Sequence, residues 1–424
     1  NPAPFNGYKV YGEDGGQMPP ADADALTDYI RAIDNPFTVK LADLEDSKAS
    51  GLIEIIGENV DAEYLKEVKD VNINQDLINE YGRDMKIVYT SLHGTGEMLV
   101  RRALAQAGFD AVQVVEAQAV PHADFLTVKS PNPENQDAFA LAEELGRNVD
   151  ADVLVATDPD ADRLGVEIRQ PDGSYLNLSG NQIGAIMAKY ILEAHKSAGT
   201  LPENAALCKS IVSTDLVTKI AESYGATMFN VLTGFKFIAE KIQEFEEKHN
   251  HTYMMGFEES FGYLIKPFVR DKDAIQAVLV VAELAAYYRS RGLTLADGIE
   301  EIYKEYGYYA EKTISVTLSG VDGAAEIKKI MDKFRGNAPK QFNNTDIAKT
   351  EDFLEQTATT ADGVEKLTTP PSNVLKYILA DDSWFAVRPS GTEPKIKFYI
   401  ATVGESEADA KEKLRISKQK SMLS

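Results

Sequence analysis

The chain has 424 residues, 44% of them hydrophobic, and a formal net charge of −23. So large an acidic excess argues against non-specific nucleic-acid binding and against attachment to an anionic membrane, because both require a cationic surface that releases counterions. No apolar run reaches the ~18 residues needed to span a bilayer, and the longest, Ala277-Val278-Leu279-Val280-Val281-Ala282, is flanked by Asp273 and Glu283.

The length exceeds what one hydrophobic core organises and suggests about three domains. The single cysteine, Cys208, sits in Ala205-Ala206-Leu207-Cys208. This context predicts a buried thiol, and one cysteine forms no internal disulfide, which fits a reducing cytoplasm. The chain opens Asn1-Pro2 with no initiator methionine, so a processed product or fragment is expected.

In chain order, Asn6-Gly7 marks a tight turn, Tyr8 and Val10 alternate like an edge strand, and a helix is expected from Ala21 with Asp22 near its cap. This opening stretch is too short to fold alone. From Lys86-Ile87-Val88-Tyr89-Thr90 strands alternate with helices. Gly94-Thr95-Gly96 leads into a helix through Leu99, Leu104 and Ala107, followed by strand Ala111 to Val115, a helix from Phe139 to Leu145, and the run Val153-Leu154-Val155-Ala156. That alternation predicts an α/β layer with a largely parallel sheet. The Gly94 to Gly96 loop offers a helix N-terminus to a phosphate, although so short a glycine pair is more often just a turn.

After Ala156 comes Thr157-Asp158-Pro159-Asp160-Ala161-Asp162-Arg163. Asp158, Asp160 and Asp162 are costly side by side as anions unless a cation neutralises them, and three hard oxygen donors favour Mg²⁺ or Mn²⁺ over zinc. A calcium loop of the EF-hand type needs glycine at its sixth position and glutamate at its twelfth. Those places hold Arg163 and Arg169. The adjoining Arg163 cation suits a site where a phosphate meets a metal.

A second α/β unit is expected from the helix Asn181 to Ala194, through strand Ile211-Val212-Ser213, a helix from Asp215, strand Thr227 to Val231, the turn Leu232-Thr233-Gly234, a helix carrying Phe235, Ile238 and Ile242, and strand Tyr253-Met254-Met255. It ends in Gly256-Phe257-Glu258-Glu259-Ser260-Phe261-Gly262, with polar side chains at a strand's carboxyl end, where open α/β sheets place ligands. Long helices follow from Asp273 to Tyr288 and from Leu295 to Tyr306. A smaller unit then has strand Thr313 to Leu318, a helix from Ala324 to Phe334, a polar stretch over 336–373 expected to include a mobile loop, and strands at 376–380, 384–387 and 396–400. Between the last two strands, Arg388-Pro389-Ser390-Gly391-Thr392-Glu393-Pro394 offers a dense donor set for a phosphate, although Pro-Ser-Gly is also ordinary turn material.

Taken together, Asn1-Pro2 with Asn6-Gly7-Tyr8-Lys9, Pro131-Asn132-Pro133-Glu134, Asp158 to Arg163, Gly256 to Gly262 and Arg388 to Pro394 resemble the α-D-phosphohexomutase superfamily, within it the phosphoglucomutase and phosphopentomutase-like branch. The resemblance spans nearly the whole chain. It implies a multi-domain α/β fold, successive α/β domains with mixed sheets around a central cleft, and a smaller C-terminal α+β domain. The implied boundaries are 1–47, 48–175, 176–307 and 308–424. It further implies a cytoplasmic phosphosugar mutase that interconverts glucose 1-phosphate and glucose 6-phosphate through a phosphoserine and a glucose 1,6-bisphosphate intermediate that also acts as activator. Phosphomannomutase, phosphopentomutase and a non-catalytic phosphosugar-binding chain are the alternatives.

By this resemblance Asp158, Asp160 and Asp162 hold Mg²⁺, Arg163 neutralises phosphoryl oxygens, and Lys9 and Lys272 stand near the transferred phosphoryl group. Glu258 and Ser260 contact sugar hydroxyls, Thr233, Gly234 and Lys236 belong to a sugar-recognition loop, and Arg388, Ser390, Gly391 and Thr392 grip the phosphate that is not reacting. The phosphorylated serine of the family lies in a Thr-Ala-Ser-His-Asn-Pro type motif. This chain begins at its Asn-Pro, so the nucleophile is expected before Asn1.

Overall fold

A computed structural model describes residues 9–318, 323–390 and 394–421. The architecture is mixed α/β, with three successive sheets and helices packed on and between them. The sequence-based fold class is therefore borne out.

The N-terminal stretch carries helices α1 (Pro20–Arg31) and α2 (Leu44–Ala49). Among its described residues it builds no buried apolar core: Phe37 is 96% exposed and Leu41 92%. The expected edge strand is not present as such. Tyr8 lies outside the described residues, and Val10 belongs only to a tight reversal in which its carbonyl accepts from the Met18 N–H at 2.9 Å and Tyr11 bridges Gln17. Helices α3 (Glu58–Val68) and α4 (Gln75–Tyr81) then lead into the first sheet.

That sheet is built from β1 (Ile87–Thr90), β2 (Val112–Val114), β3 (Val153–Thr157), β4 (Leu164–Arg169) and β5 (Tyr175–Asn177), in the order β2-β1-β3-β4-β5. Its first three strands are parallel, as the β-α alternation through α5 (Gly96–Ala107), α6 (Glu116–Ala119) and α7 (Ala140–Val149) requires. The pair β3–β4 is antiparallel, so the acidic segment is a hairpin connection rather than a crossover. The β3 run Val-Leu-Val-Ala-Thr is buried throughout, as a strand covered on both faces must be.

Helix α8 (Gly180–Ser197) starts with a capping box from Ser179 and Gln182. It precedes the second sheet, ordered β7-β6-β8-β9, with β6 (Ala205–Ser210), β7 (Thr227–Val231), β8 (Thr252–Glu258) and β9 (Gly262–Leu264), interleaved with α9 (Leu216–Ser223) and α10 (Lys236–Lys248). The strand expected at Ile211-Val212-Ser213 is corrected here: those residues form the turn after β6. The true strand carries Lys209, which is fully buried, and a lysine inside a buried strand breaks the apolar run by which such strands are read. Cys208 is buried as expected, and burial pushes its thiol up to about 12.

Helix α11 (Ala274–Ser290) is buried nearly all round and lies between the first two sheets, capped by Asp273, which accepts from the Ile275 and Gln276 amides. Its buried Glu283 accepts hydrogen bonds from Asn72 Nδ2, the Ile73 and Asn74 amides and Tyr190 Oη. One carboxylate thus ties two segments, residues 72–74 and α8, to the central helix, with both its oxygens hydrogen-bonded. Helix α12 (Leu295–Tyr306) closes this layer.

The third sheet contains β10 (Tyr308–Thr317), β11 (Gln341–Phe342), β12 (Thr345–Asp352), β13 (Thr357–Thr360), β14 (Gly363–Lys366), β15 (Leu375–Leu379), β16 (Trp384–Pro389) and β17 (Lys395–Gly404). Its order is β10-β17-β16-β15-β12-β13-β14, with β11 paired to β12, and it packs with α13 (Gly323–Gly336) and α14 (Glu407–Ser421). Two expectations change. Strand β10 starts at Tyr308 rather than Thr313, and 336–373 carries β11 to β14 besides the irregular stretch 367–374. Those strands are polar because β13 and β14 are largely exposed, which removes the apolar alternation that marks a strand.

Candidate active site

The acidic loop is held by its own backbone and by three neighbours. Asp158 leaves β3 and its Oδ1 accepts from the Asp162 and Arg163 amides at 3.1 and 3.0 Å. Ala161 takes a positive φ of 56°, which reverses the chain so that the next strand can return. The Thr95 N–H donates to Pro159 O at 2.9 Å, the Leu164 N–H to Phe261 O at 3.0 Å, and the Ala274 N–H to Ala161 O at 3.1 Å. A Cβ on Gly94 would come 2.4 Å from Pro159 Cα. The Gly94 to Gly96 turn therefore supports the acidic loop and opens α5.

Oxygens of Asp158, Asp160 and Asp162 lie within 4.8 Å of one another. Burial, then Asp162 and Asp160, push the Asp158 carboxyl up to about 8. For Asp160, burial acts upward, but the Lys9 ammonium together with hydrogen bonds to Asp158 and the loop backbone holds the group below the usual carboxylate range. Three hard oxygen donors converging around a destabilised carboxylate fit a divalent cation such as Mg²⁺ or Mn²⁺.

Cations ring this cluster. Lys9 contacts Asp162 and lies 3.2 Å from Asp160 and 3.8 Å from Asp271. Lys272 lies 3.2 Å from Asp162 and 3.0 Å from Asp271. Burial would lower both ammoniums, but Asp162 and Asp271 outweigh it, so both stay charged with pKa above the ordinary lysine value. The Lys272 stem lies flat on Gly262, where an added Cβ would stand 2.1 Å from its Cδ. Arg163 pairs with Glu134 at 2.7 Å, with its Nε 3.8 Å from Asp158 and 3.7 Å from Asp162.

Glu258, at the carboxyl end of β8, is buried beside this cluster. Its Oε1 accepts from the Gly234 N–H at 2.7 Å, so the two stretches expected to read a sugar meet directly. Burial, then Glu259, raise the Glu258 pKa, against the opposing fields of Lys272, the Gly234 N–H and Arg163. Thr233 Oγ1 is buried without a partner among the described residues, and Ser260 is half-buried next to Phe261. Lys236 opens α10 with its Nζ 5.2 Å over the Phe237 ring.

Across from Glu259, a cleft of about 420 Å³ is lined by Ser179, Gln182, Phe261, Trp384 and Tyr399. Arg388, one residue before the end of β16, lies next to Tyr399, whose phenol also feels Glu259. Ser390 follows; its N–H donates to Lys395 O at 2.8 Å. Gly391 and Thr392 lie outside the described residues.

Residues 62–171 match the phosphoglucomutase/phosphomannomutase α/β/α domain II, 179–306 its α/β/α domain III and 322–419 its C-terminal domain. A phosphoglucomutase of Staphylococcus epidermidis is 39% identical over 404 residues, covering 95% of this chain and 71% of its own length. The chain belongs to the phosphoglucomutase/phosphomannomutase family. It is thereby a member of a family of phosphosugar mutases. A phosphoglucomutase of Staphylococcus aureus USA300 is 37% identical over 405 residues, covering 95% of this chain and 70% of its own length. The solved open form of pp63/parafusin, a phosphoglucomutase from Paramecium, shares the fold with a TM-score of 0.58 and 19% identity. That match covers 84% of this chain but 62% of the solved chain, so the present chain spans less than two thirds of that relative. Among the described residues, no helix is long and apolar enough to cross a membrane.

Several residues of this mutase-family site escape the sequence reading. Asp271 bridges Lys9 and Lys272 and accepts from Tyr11 Oη at 2.7 Å. Its signal was the charged run Arg270 to Asp273, in which the lysine alone drew attention. Glu134 holds Arg163 and stood in the quoted Asn-Pro-Glu stretch. Glu259 is fixed by Ser210 and Ser213, which no motif marks.

Proposed function

We propose that this chain serves a Mg²⁺-dependent phosphosugar mutase that interconverts glucose 1-phosphate and glucose 6-phosphate through a phosphoserine and glucose 1,6-bisphosphate, the latter also acting as activator. The observation that carries this reading is the convergence of the Asp158, Asp160 and Asp162 oxygens with Lys9, Lys272 and Arg163, next to the buried Glu258. Asp158, Asp160 and Asp162 would hold the metal, which supplies Lewis-acid stabilisation of charge on a transferring phosphoryl group.

In this reading Lys9, Arg163 and Lys272 add fixed positive charge where phosphoryl oxygens collect, in a half-buried setting where such charge acts more strongly than in water. Glu258 and Ser260 orient the sugar through its hydroxyls, and the Gly234 N–H holds the Glu258 carboxylate ready for that task. Thr233 and Lys236 complete the recognition loop. Arg388, Ser390, Gly391 and Thr392 bind the phosphate that is not reacting, a contact shared by ground and transition states. Each residue assigned is a metal ligand, a charge partner or a substrate contact, and none is assigned as the phosphoryl donor.

The partners are small sugar phosphates, and the cytoplasm is the compartment proposed. Calorimetric titration with glucose 1-phosphate, glucose 6-phosphate, mannose 6-phosphate and ribose 5-phosphate in the presence of Mg²⁺ tests the reading. Saturable binding of both glucose phosphates, tighter than the other two, is expected. Preference for the mannose or ribose compound would move the assignment to that sugar, and absence of binding by all four would remove it.

A further inference from the structure

Two buried lysines from different sheets share one carboxylate. Lys209 of β6 is fully buried, with Nζ 2.8 Å from Asp215 Oδ1 and donating to Ser213 O at 3.2 Å. Lys376 of β15 reaches over from the C-terminal sheet, donating to Ile211 O at 2.9 Å with Asp215 Oδ2 at 3.5 Å. Its Nζ stands 4.2 Å over the ring of Trp384, the only tryptophan in the chain. Burial acts upward on the Asp215 carboxyl, but the two ammoniums more than offset it and hold the group well below the usual carboxylate range.

Burying two ammoniums around one carboxylate is a poor source of stability, because desolvation consumes most of the attraction. Apolar side chains could occupy these places, since Ile211, Val212, Trp384, Ala386 and Tyr399 already form a packed apolar cluster around them. What the charges add is direction. They bond to defined carbonyls of the turn 211–214, and that turn holds Glu259: Ser213 Oγ accepts from the Glu259 N–H at 3.0 Å and donates to Glu259 Oε2 at 3.2 Å, while Ser210 Oγ donates to the same oxygen at 3.0 Å. Glu259 lies between Glu258 and Ser260. On the other side, Lys376 is paired in register with Ala386, two residues before Arg388.

We infer that Asp215, with Lys209 and Lys376, is a positioning centre that sets the Arg388 side of the cleft against the Glu258 to Ser260 side, so that one sugar phosphate spans both. This rests on the function proposed above. None of the three side chains is assigned a contact with substrate.

Lys376→Met carries the test, because it removes the link from the C-terminal sheet while leaving Lys209 and Asp215 as a balanced pair; Asp215→Ala strands two buried ammoniums and is the variant at risk of unfolding. Hydrogen exchange on the ligand-free variant is expected to speed up roughly tenfold at the amides of 211–214 and of Glu259, the scale that loss of one charge-assisted contact gives. The glucose 6-phosphate Kd is expected to weaken by about the same factor, with Mn²⁺ affinity at the acidic loop unchanged. Unchanged exchange at the turn overturns the inference, and so does an unchanged Kd beside a parent chain that binds. If the parent binds no glucose 6-phosphate, the functional reading fails by itself, and the exchange rates still decide whether Lys376 orders the turn.

Discussion

Lys272 places its ammonium 3.2 Å from Oδ2 of Asp162, so that one carboxylate of the acidic loop is neutralised from a different sheet's loop. The same oxygen is a candidate metal ligand, and the lysine and a cation therefore compete for it.

Replacing Lys272 by Met should consequently move two affinities in opposite directions. Mn²⁺ binding should tighten by roughly 1 kcal/mol, since a like charge a few ångströms away disappears, while sugar-phosphate binding weakens by about 1.5–3 kcal/mol for the lost charge-assisted contact. Electron paramagnetic resonance for the metal and calorimetry for glucose 6-phosphate measure both. A change of the two in the same direction would show that Lys272 does not stand between them.

Glu167 gives a pH prediction away from the metal loop. It is fully buried on β4 beneath α7, opposite Asn177 of β5 and near Glu143 and Arg147, and among the described residues neither carboxylate oxygen has a hydrogen-bond partner. Burial, then Glu143, push its carboxyl from 4.5 up to about 8. Between those values the unfolded chain has released a proton that the folded chain keeps, so this group removes stability as pH rises. Glu167→Gln should match the parent near pH 4.5 and exceed it by roughly 1–3 kcal/mol at about pH 8, the usual cost of an unsatisfied buried polar group. Thermal melts across that range that stay parallel would contradict this.

Arg388→Ala should weaken binding of both glucose phosphates by roughly 1.5–3 kcal/mol, or about one to two decades. In a turnover assay of a family member that retains this arginine, the same change should raise KM with kcat little altered. An unchanged Kd for both compounds would assign the loop after β16 another task.

The acidic loop was legible because its three carboxylates alternate within five residues and follow an uninterrupted buried strand. Lys9 and Lys272 carried no such local signal; their contacts with Asp162 come from opposite parts of the chain, and only the resemblance pointed to them. Asp271, Glu134 and Glu259 act through partners brought near by the fold, which no spacing in the sequence encodes. The sheet order was readable where apolar runs alternate with helices. It failed where a buried charge interrupts a strand, as Lys209 does in β6, and where largely exposed strands such as β13 and β14 carry a single apolar side chain each.

A metal and a sugar phosphate are expected to meet at one cleft, and ³¹P relaxation with Mn²⁺ measures this most directly. Glucose 6-phosphate in exchange with the Mn²⁺-loaded chain should show strong paramagnetic broadening of its phosphorus line. In the variant carrying Asp158→Ala, Asp160→Ala and Asp162→Ala the sugar phosphate should still bind, yet the broadening should fall to that of free Mn²⁺ in solution. Equal broadening in the parent and in the triple variant would contradict the account, because the metal would then lie somewhere other than the acidic loop.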